Sequence, residues 1–273
     1  MKTELLRIEN LSYEYQVGKK VLSNLNITIN KGERIAVMGS NGAGKSTFFL
    51  NLNGVLQPNT GAIFYQDKKI CKKNLNHLRR NVGFVFQDAD SQMIASTVEA
   101  EVSFGPMNLK LSLEEVQKRV EEALNYMNLL EYKERPPHYL SGGEKKRVSI
   151  ADIIAMNSPI ILFDEPTSAL DPLNAQMLEE VLQKLAAEEK TLLISTHDVD
   201  FAYRWAERVV VFCNGTILAD DTPLIIFQNE KILKQAHLKK PAMLTIYETL
   251  LNAGMIKLGS YPKTAEELKE VII

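Results

Sequence analysis

The chain has 273 residues, of which 45% are hydrophobic and 24% charged, with a formal net charge of -2. These proportions fit an ordinary globular chain long enough to build its core without staples, and the near-zero charge excludes an overall basic field for nucleic acid or an anionic membrane surface. Two distant cysteines, Cys71 and Cys213, lack metal-ligand spacing and read as reduced thiols rather than a disulfide framework.

Residues 5–37 read as strands, with Leu25-Asn26-Ile27-Thr28-Ile29 alternating apolar and polar and Lys31-Gly32-Glu33 making a turn. The short apolar run at 34–38 enters a Gly-rich turn, and a helical pattern follows from 45 to about 53. Residues 82–86 form another short β-rich run. From about 112 to 130 the pattern is helical: Val116, Val120, Ala123, Leu124 and Met127 recur at spacings of three and four, after a capping-box start at Ser112-Leu113-Glu114-Glu115. A second helix is predicted over about 142–156. Next come a buried strand at 160–163, a helix at about 173–188 and a strand at 191–195. A helix at about 199–206 and a strand at 208–213 complete the run. This alternation predicts an α/β domain with a mostly parallel sheet, interrupted by a helical subdomain inserted at about 88–158. The expected division is a domain at 1–218 and a C-terminal helical extension at 219–273, with three helical patterns near 224–237, 241–253 and 264–273. Apolar runs are far shorter than the roughly 18 residues that cross a bilayer, and the first residues lack the apolar segment of a signal peptide. Membrane association is therefore expected only through partners.

Three strings carry chemistry. Gly39, Ser40, Asn41, Gly42, Ala43, Gly44, Lys45, Ser46 and Thr47 fit G-x-x-x-x-G-K-[ST] between a strand and a helix. Glycines let successive N–H groups curl toward phosphate oxygens, and the helix adds its positive end. Lys45 is expected to reach the outer phosphates of a nucleotide and the Ser46 hydroxyl to ligate Mg²⁺. Ile160-Ile161-Leu162-Phe163-Asp164-Glu165 is an apolar strand ending in two carboxylates. Asp164 is expected in the Mg²⁺ shell, and Glu165 to polarise the attacking water. Leu140-Ser141-Gly142-Gly143-Glu144 combines a capping box with two glycines at a helix start, a second place built for an anion. A chain with its own phosphate cradle gains a use for this second one if it serves another subunit's ATP.

In this order, the strings resemble the ABC ATPase family over nearly the whole chain. The resemblance implies a P-loop ATPase core that hydrolyses ATP with Mg²⁺. It also implies two subunits pairing head to tail, each ATP lying between one P-loop and the other subunit's signature Ser141, Gly142, Gly143 and Glu144. Glu144 stands where the family's commonest signature has Gln. By the same resemblance Gln87 is the Q-loop residue, a Mg²⁺ and water contact; Ser168 and Asp171 bound the D-loop; and His197 is the switch histidine at the γ-phosphate. Tyr15 is similar to the aromatic that stacks on adenine, with Tyr13 as the neighbouring alternative. Lys45, Gln87, Glu165 and His197 are thus the expected catalytic set. Further strings resemble the energy-coupling-factor importers, the cobalt-type ATP-binding subunit in particular: Phe86-Gln87-Asp88-Ala89-Asp90-Ser91-Gln92, Phe104-Gly105-Pro106-Met107-Asn108-Leu109 and the stretch 196–206. Many members have Pro where this chain has Ala89. This implies a transmembrane coupling subunit docking at 88–105, a separate substrate-binding membrane subunit, and a peripheral position on the cytoplasmic side of the cell membrane. The ATPase partner is either an identical copy or a paralogue. Cobalt is the first choice of cargo, then nickel, then a vitamin served by a shared module. A non-transport ABC ATPase acting on nucleic acid or ribosomes, and a non-hydrolysing nucleotide sensor, are the alternatives; the near-neutral charge speaks against the first, and Glu165 with His197 against the second. The extension at 219–273, with its apolar stripe Met243, Tyr247, Leu250 and Leu251, either packs on its own subunit or holds a dimer together.

Overall fold

A computed structural model describes residues 3–89, 92–168 and 170–272. Two sheets organise the chain. The first is antiparallel, with β1 (Glu4–Gln16) between β2 (Lys19–Asn30) and β4 (Thr60–Tyr65), and the short β5 (Lys68–Lys69) at its edge. The second has six strands in the order β10 (Thr216–Asp221), β9 (Arg208–Cys213), β3 (Arg34–Met38), β8 (Thr191–Ser195), β7 (Ile160–Asp164), β6 (Val82–Val85). All pairs are parallel except β9 with β10.

Side chains alternate across this second sheet, and both faces are buried, which is why its strands read as continuous apolar runs. Ile35, Val37, Ile160, Leu162, Leu193, Val210 and Phe212 face one core, shared with the antiparallel sheet and with Phe48, Phe49 and Leu52 of α1 (Lys45–Leu52). Ala36, Met38, Ile161, Phe163, Leu192, Ile194, Val209 and Val211 face the other. That second core takes in α6 (Pro172–Ala187), α7 (Val199–Trp205) and the inserted helices α3 (Val98–Asn108), α4 (Leu113–Tyr126) and α5 (Gly142–Met156). Trp205 stacks on Phe201 within it, the centroids 5.5 Å apart. The remaining helix of the first half, α2 (Leu75–Asn81), precedes β6.

The five apolar positions expected on the 112–130 helix are all buried, four on α4 and Met127 at its C-cap. That helix ends sooner than the pattern suggests. Asn128 adopts the left-handed conformation, φ 53°, and Leu129 N–H closes the turn onto Leu124 O at 2.8 Å.

The C-terminal part differs from its expected outline in two respects. β10 runs to Asp221, so position 218 falls inside a strand and the helices begin at Pro223. The first helical pattern is two helices, α8 (Pro223–Gln228) and α9 (Glu230–Ala236), because Asn229 leaves the helical region and its side chain caps the N–H groups of Lys231 and Ile232. Two more follow, α10 (Ala242–Asn252) and α11 (Ala265–Ile272). Ile226, Phe227, Leu233, Ala236 and Leu244 are buried in the same core as Phe201 and Trp205, and Tyr247 is buried with its hydroxyl donating to Gly259 O. The extension therefore packs on its own chain; Met243, Leu250 and Leu251 are half-buried there. No helix among the described residues is long and apolar enough to cross a membrane.

Candidate functional site

Parallel pairing sets β3, β7 and β8 in step: Val37 lies opposite Ser195, and Asp164 opposite the same serine. Their carboxyl ends therefore open at one edge, where α/β sheets bind ligands. There the chain forms a cleft of about 850 Å³, walled by residues 39–47 together with Gln87, Glu165 and His197.

Glycine is required at two points of its floor. Gly39 has φ 141°, and a Cβ on it would lie 2.3 Å from the Phe212 carbonyl oxygen. Gly44, at φ 105°, is the N-cap of α1 and leaves that helix start without a side-chain cap. The Lys45 ammonium is buried and donates to Gly39 O at 2.8 Å and Ser40 O at 3.4 Å, with Glu165 Oε1 3.9 Å away. Burial lowers its pKa, opposed by the charges of Glu165 and Asp164.

Glu165 is 7% exposed and takes the left-handed conformation, φ 45°, one of the uncommon non-glycine backbone states that gather at functional sites. Its N–H is shared between Ser195 O at 3.1 Å and Ser195 Oγ at 3.0 Å. This holds its carboxylate in the cleft, where Oε2 lies 2.7 Å from His197 Nδ1. The His197 side chain is 71% exposed, so the ring spans from the buried carboxylate to the open cleft. Asp164 lies behind this layer, outside the cleft wall, and its Oδ1 accepts the Ser195 hydroxyl.

Tyr15 sits at the rim rather than in the wall. The residue is 57% exposed, and its hydroxyl is 3.3 Å from Thr47 Oγ1. Tyr13 is half-buried and meets Tyr15 edge-on, the centroids 5.0 Å apart.

Residues 141–144 are not brought to the cleft. Ser141 caps α5 on another surface of the molecule: Glu144 N–H donates to Ser141 Oγ at 3.3 Å, and Ser141 N–H donates to Glu144 Oε2 at 2.7 Å. These Ser141 hydrogen bonds lower the Glu144 pKa. Apart from its chain neighbours and the backbone of its own helix, no described atom lies within 4 Å of where a Gly142 Cβ would stand, whereas a Gly143 Cβ would lie 2.8 Å from Asn174 Nδ2. Asn174 is in turn held by Asp171, which caps α6 through Asn174 N–H at 3.0 Å and Nδ2 at 2.6 Å. The 141–144 segment and Asp171 thus share a neighbour. Ser168 lies between Asp171 and the cleft, its hydroxyl donating to Glu165 O at 2.8 Å. Ala169 lies outside the described residues, as do Asp90 and Ser91 of the 86–92 string.

A family model described as ABC transporter matches residues 22–168. The chain is a member of the ABC transporter ATPase family. It is 42% identical over 98% of its length to the energy-coupling factor transporter ATP-binding protein EcfA2 of Methanospirillum hungatei, covering 68% of that protein. Among solved structures it is similar to cbiO1 from Clostridium perfringens, described as part of the ABC transporter complex cbiONQ, with a TM-score of 0.76, 34% identity, and coverage of 92% of this chain and all of that one. It is also similar to the dimeric cassette MJ0796 in a post-hydrolysis state bound to ADP and Pi, with a TM-score of 0.72, 32% identity, and coverage of 80% and 99%. The fold is the P-loop ABC cassette with its helical subdomain, and the chain is an ATPase.

Two features of this ABC ATPase escape the sequence reading. Lys146 on α5 is 4% exposed, and its ammonium donates to Phe86 O at 2.6 Å and Gln87 O at 3.0 Å. Burial lowers its pKa to about 8, against the pull of Asp164 and Asp88. The string Lys145-Lys146-Arg147 looks like a solvated run; the available signal was that 146, 150 and 153 share one helix face with two isoleucines. The second feature is that His237, Leu238 and Lys239, just past α9, line the same cleft as residues 39–47, so the extension contributes to its wall.

A second groove, of about 360 Å³, lies between the β6 edge and helices α3 and α5. Exposed Ile94, Phe104 and Val55 flank it, and Glu101 and Asp152 supply its carboxyls. Burial, with Glu101 second, pushes the Asp152 carboxyl up to about 7.

Proposed function

We propose that this ABC ATPase energises a membrane importer of the energy-coupling-factor type, with cobalt as cargo. The observation that carries the ATPase part is the convergence of Lys45, Glu165 and His197 in the 39–47 cleft. In this reading the N–H groups at the start of α1 and the Lys45 ammonium hold the β- and γ-phosphates. Glu165 takes a proton from the attacking water, and His197, anchored to Glu165 and exposed on its other side, donates to the γ-phosphate. Tyr15 stacks on adenine at the rim. Ser141, Gly142, Gly143 and Glu144 complete the cleft of a second ATPase subunit in trans, with Ser168 and Asp171 at the crossing between the two.

The residue types present suit Mg²⁺: Ser46 and Gln87 line the cleft and Asp164 lies behind it, and their hydroxyl, amide and carboxylate are all hard oxygen donors, one carboxylate with substrate phosphates being a common Mg²⁺ arrangement. In this reading a cargo cation is handled by another chain. When bound, Mg²⁺ would supply positive charge against the negative charge that develops on the phosphates.

Docking of a transmembrane coupling subunit is proposed at 88–105, against the second groove, with a separate substrate-binding membrane subunit beyond it. The chain then works peripherally on the cytoplasmic side of the cell membrane. Likeness to EcfA2 and to cbiO1 supports the importer class, and the cobalt-type strings at 86–92 and 196–206 support the cargo. Affinity purification of the tagged chain from detergent-solubilised membranes tests this. Two integral membrane proteins, and cobalt uptake dependent on Glu165, are expected. Recovery with ribosomes or nucleic acid instead would overturn it.

A further inference from the structure

We infer that Lys146 is the positioning residue that locks Gln87 of the nucleotide cleft to the helix whose start serves a partner's ATP. The inference rests on the roles proposed above for Gln87 and Ser141.

Gln87 follows the end of β6, where the backbone has left the sheet ladder. It lines the cleft. Its carbonyl, and that of Phe86, are gripped by one buried ammonium from α5, 59 and 60 residues further along the chain. Phe86 is further fixed by its ring against Phe84, the centroids 4.1 Å apart. An ammonium is costly to bury unless its hydrogens are used, and a loop could be packed against a helix by apolar side chains alone. A lysine here makes a directional, two-carbonyl clamp. Lys146 lies five residues after the Ser141 cap, about 7.5 Å along a rigid helix. A displacement of the α5 start is therefore transmitted to the Gln87 backbone with little slack. In a head-to-tail pair this joins the two ATP sites: the α5 start reports on the partner's nucleotide and Gln87 acts on the chain's own. The same clamp lies where residue 88 opens the stretch leading to the second groove, so a partner seated there works on Gln87 through backbone that Lys146 holds.

The test compares Lys146→Met, Lys146→Gln, Gln87→Ala and the double variant Lys146→Met/Gln87→Ala in the full chain, reading kcat, KM and Hill coefficient for ATP, with binding of a fluorescent ATP analogue as the check on folding. Lys146→Met, of similar length but without donors, is expected to lower kcat about ten-fold or more, to leave KM within about two-fold, and to bring the Hill coefficient to about 1. Lys146→Gln, which keeps a donor, falls between it and wild type. In the double variant the methionine adds nothing to the loss caused by Gln87→Ala. Wild-type turnover in Lys146→Met beside an impaired Gln87→Ala overturns the inference alone, and so do losses that multiply in the double variant. Wild-type turnover in Gln87→Ala overturns the role assigned to Gln87 and the inference with it. If Lys146→Met fails to bind the analogue, Lys146→Gln is judged by the same criteria.

Discussion

Two helix starts in this chain are proposed to meet the phosphates of ATP, and they are built differently. The start of α1 has Gly44 as its N-cap and no side-chain cap, so its N–H groups stay open toward a cleft that also holds Lys45, Glu165 and His197. The start of α5 is closed by a reciprocal capping box of Ser141 and Glu144, is largely exposed, and has none of those groups around it. The first carries a lysine, a buried carboxylate and a histidine within one cleft; the second offers shape and a few donors. An uncapped start among charged groups suits grasping and cleaving a phosphate chain. A self-satisfied start on the surface suits closing over a nucleotide that something else already holds. That contrast is what makes a single chain half of an active unit in the proposed mechanism.

The contrast is broken most severely on the α1 side. Glu165→Gln keeps the shape and removes the base, so phosphate release is expected to fall about 10²–10⁴-fold while ATP binding, followed by fluorescence, persists. Unchanged turnover would move the catalytic carboxylate elsewhere. Tyr15→Ala is next: loss of base stacking, worth about 1–3 kcal/mol, is expected to raise the Kd for ATP roughly ten-fold. Tyr13→Ala should change it little, because that ring packs against the sheet core; the reverse order would exchange the two tyrosines. On the α5 side the expected effect is smaller. Ser141→Ala removes a cap worth about 1 kcal/mol, lowering thermal stability slightly and kcat more than ATP affinity.

The smallest effect is at the far end of α5. The Asp152 carboxyl titrates at about 7 in the folded chain, and near 4 when unfolded. Between those values the folded state holds a proton that the unfolded state has released, so this group's contribution to stability falls as pH rises from about 4 through about 7. Asp152→Asn removes that slope. Its Tm should exceed wild type at pH 8, with a narrower gap at pH 5, by calorimetry at both values.

Much of the site could be read in advance because its parts are local. The 39–47 string, the strand ending in Asp164-Glu165 and the 140–144 helix start each declare themselves through short-range spacing and turn chemistry. The parallel sheet followed from strands alternating with helices. What stayed hidden depends on distant segments meeting. Nothing near Lys146 announces that its partners are carbonyls some sixty residues earlier, and nothing near His237 announces the cleft. The extension was legible as helical, but not as part of the same core as α7, since an amphipathic helix does not name what it packs against. Asn229 split one apparent helix in two because its capping tendency outweighed the apolar periodicity across it. The strands β4, β5 and β10 were missed, being short and exposed in part.

The central claim is that each ATP is served by the α1 start of one chain and the α5 start of another. Mixing two inactive variants, Lys45→Ala and Ser141→Arg, and measuring phosphate release tests it directly. Each variant alone spoils both sites of its own pair, whereas a mixed pair contains one site with an intact Lys45 from one chain and an intact Ser141 from the other. Activity of the mixture well above the sum of the separate variants is the predicted result. A mixture no more active than that sum would contradict the account.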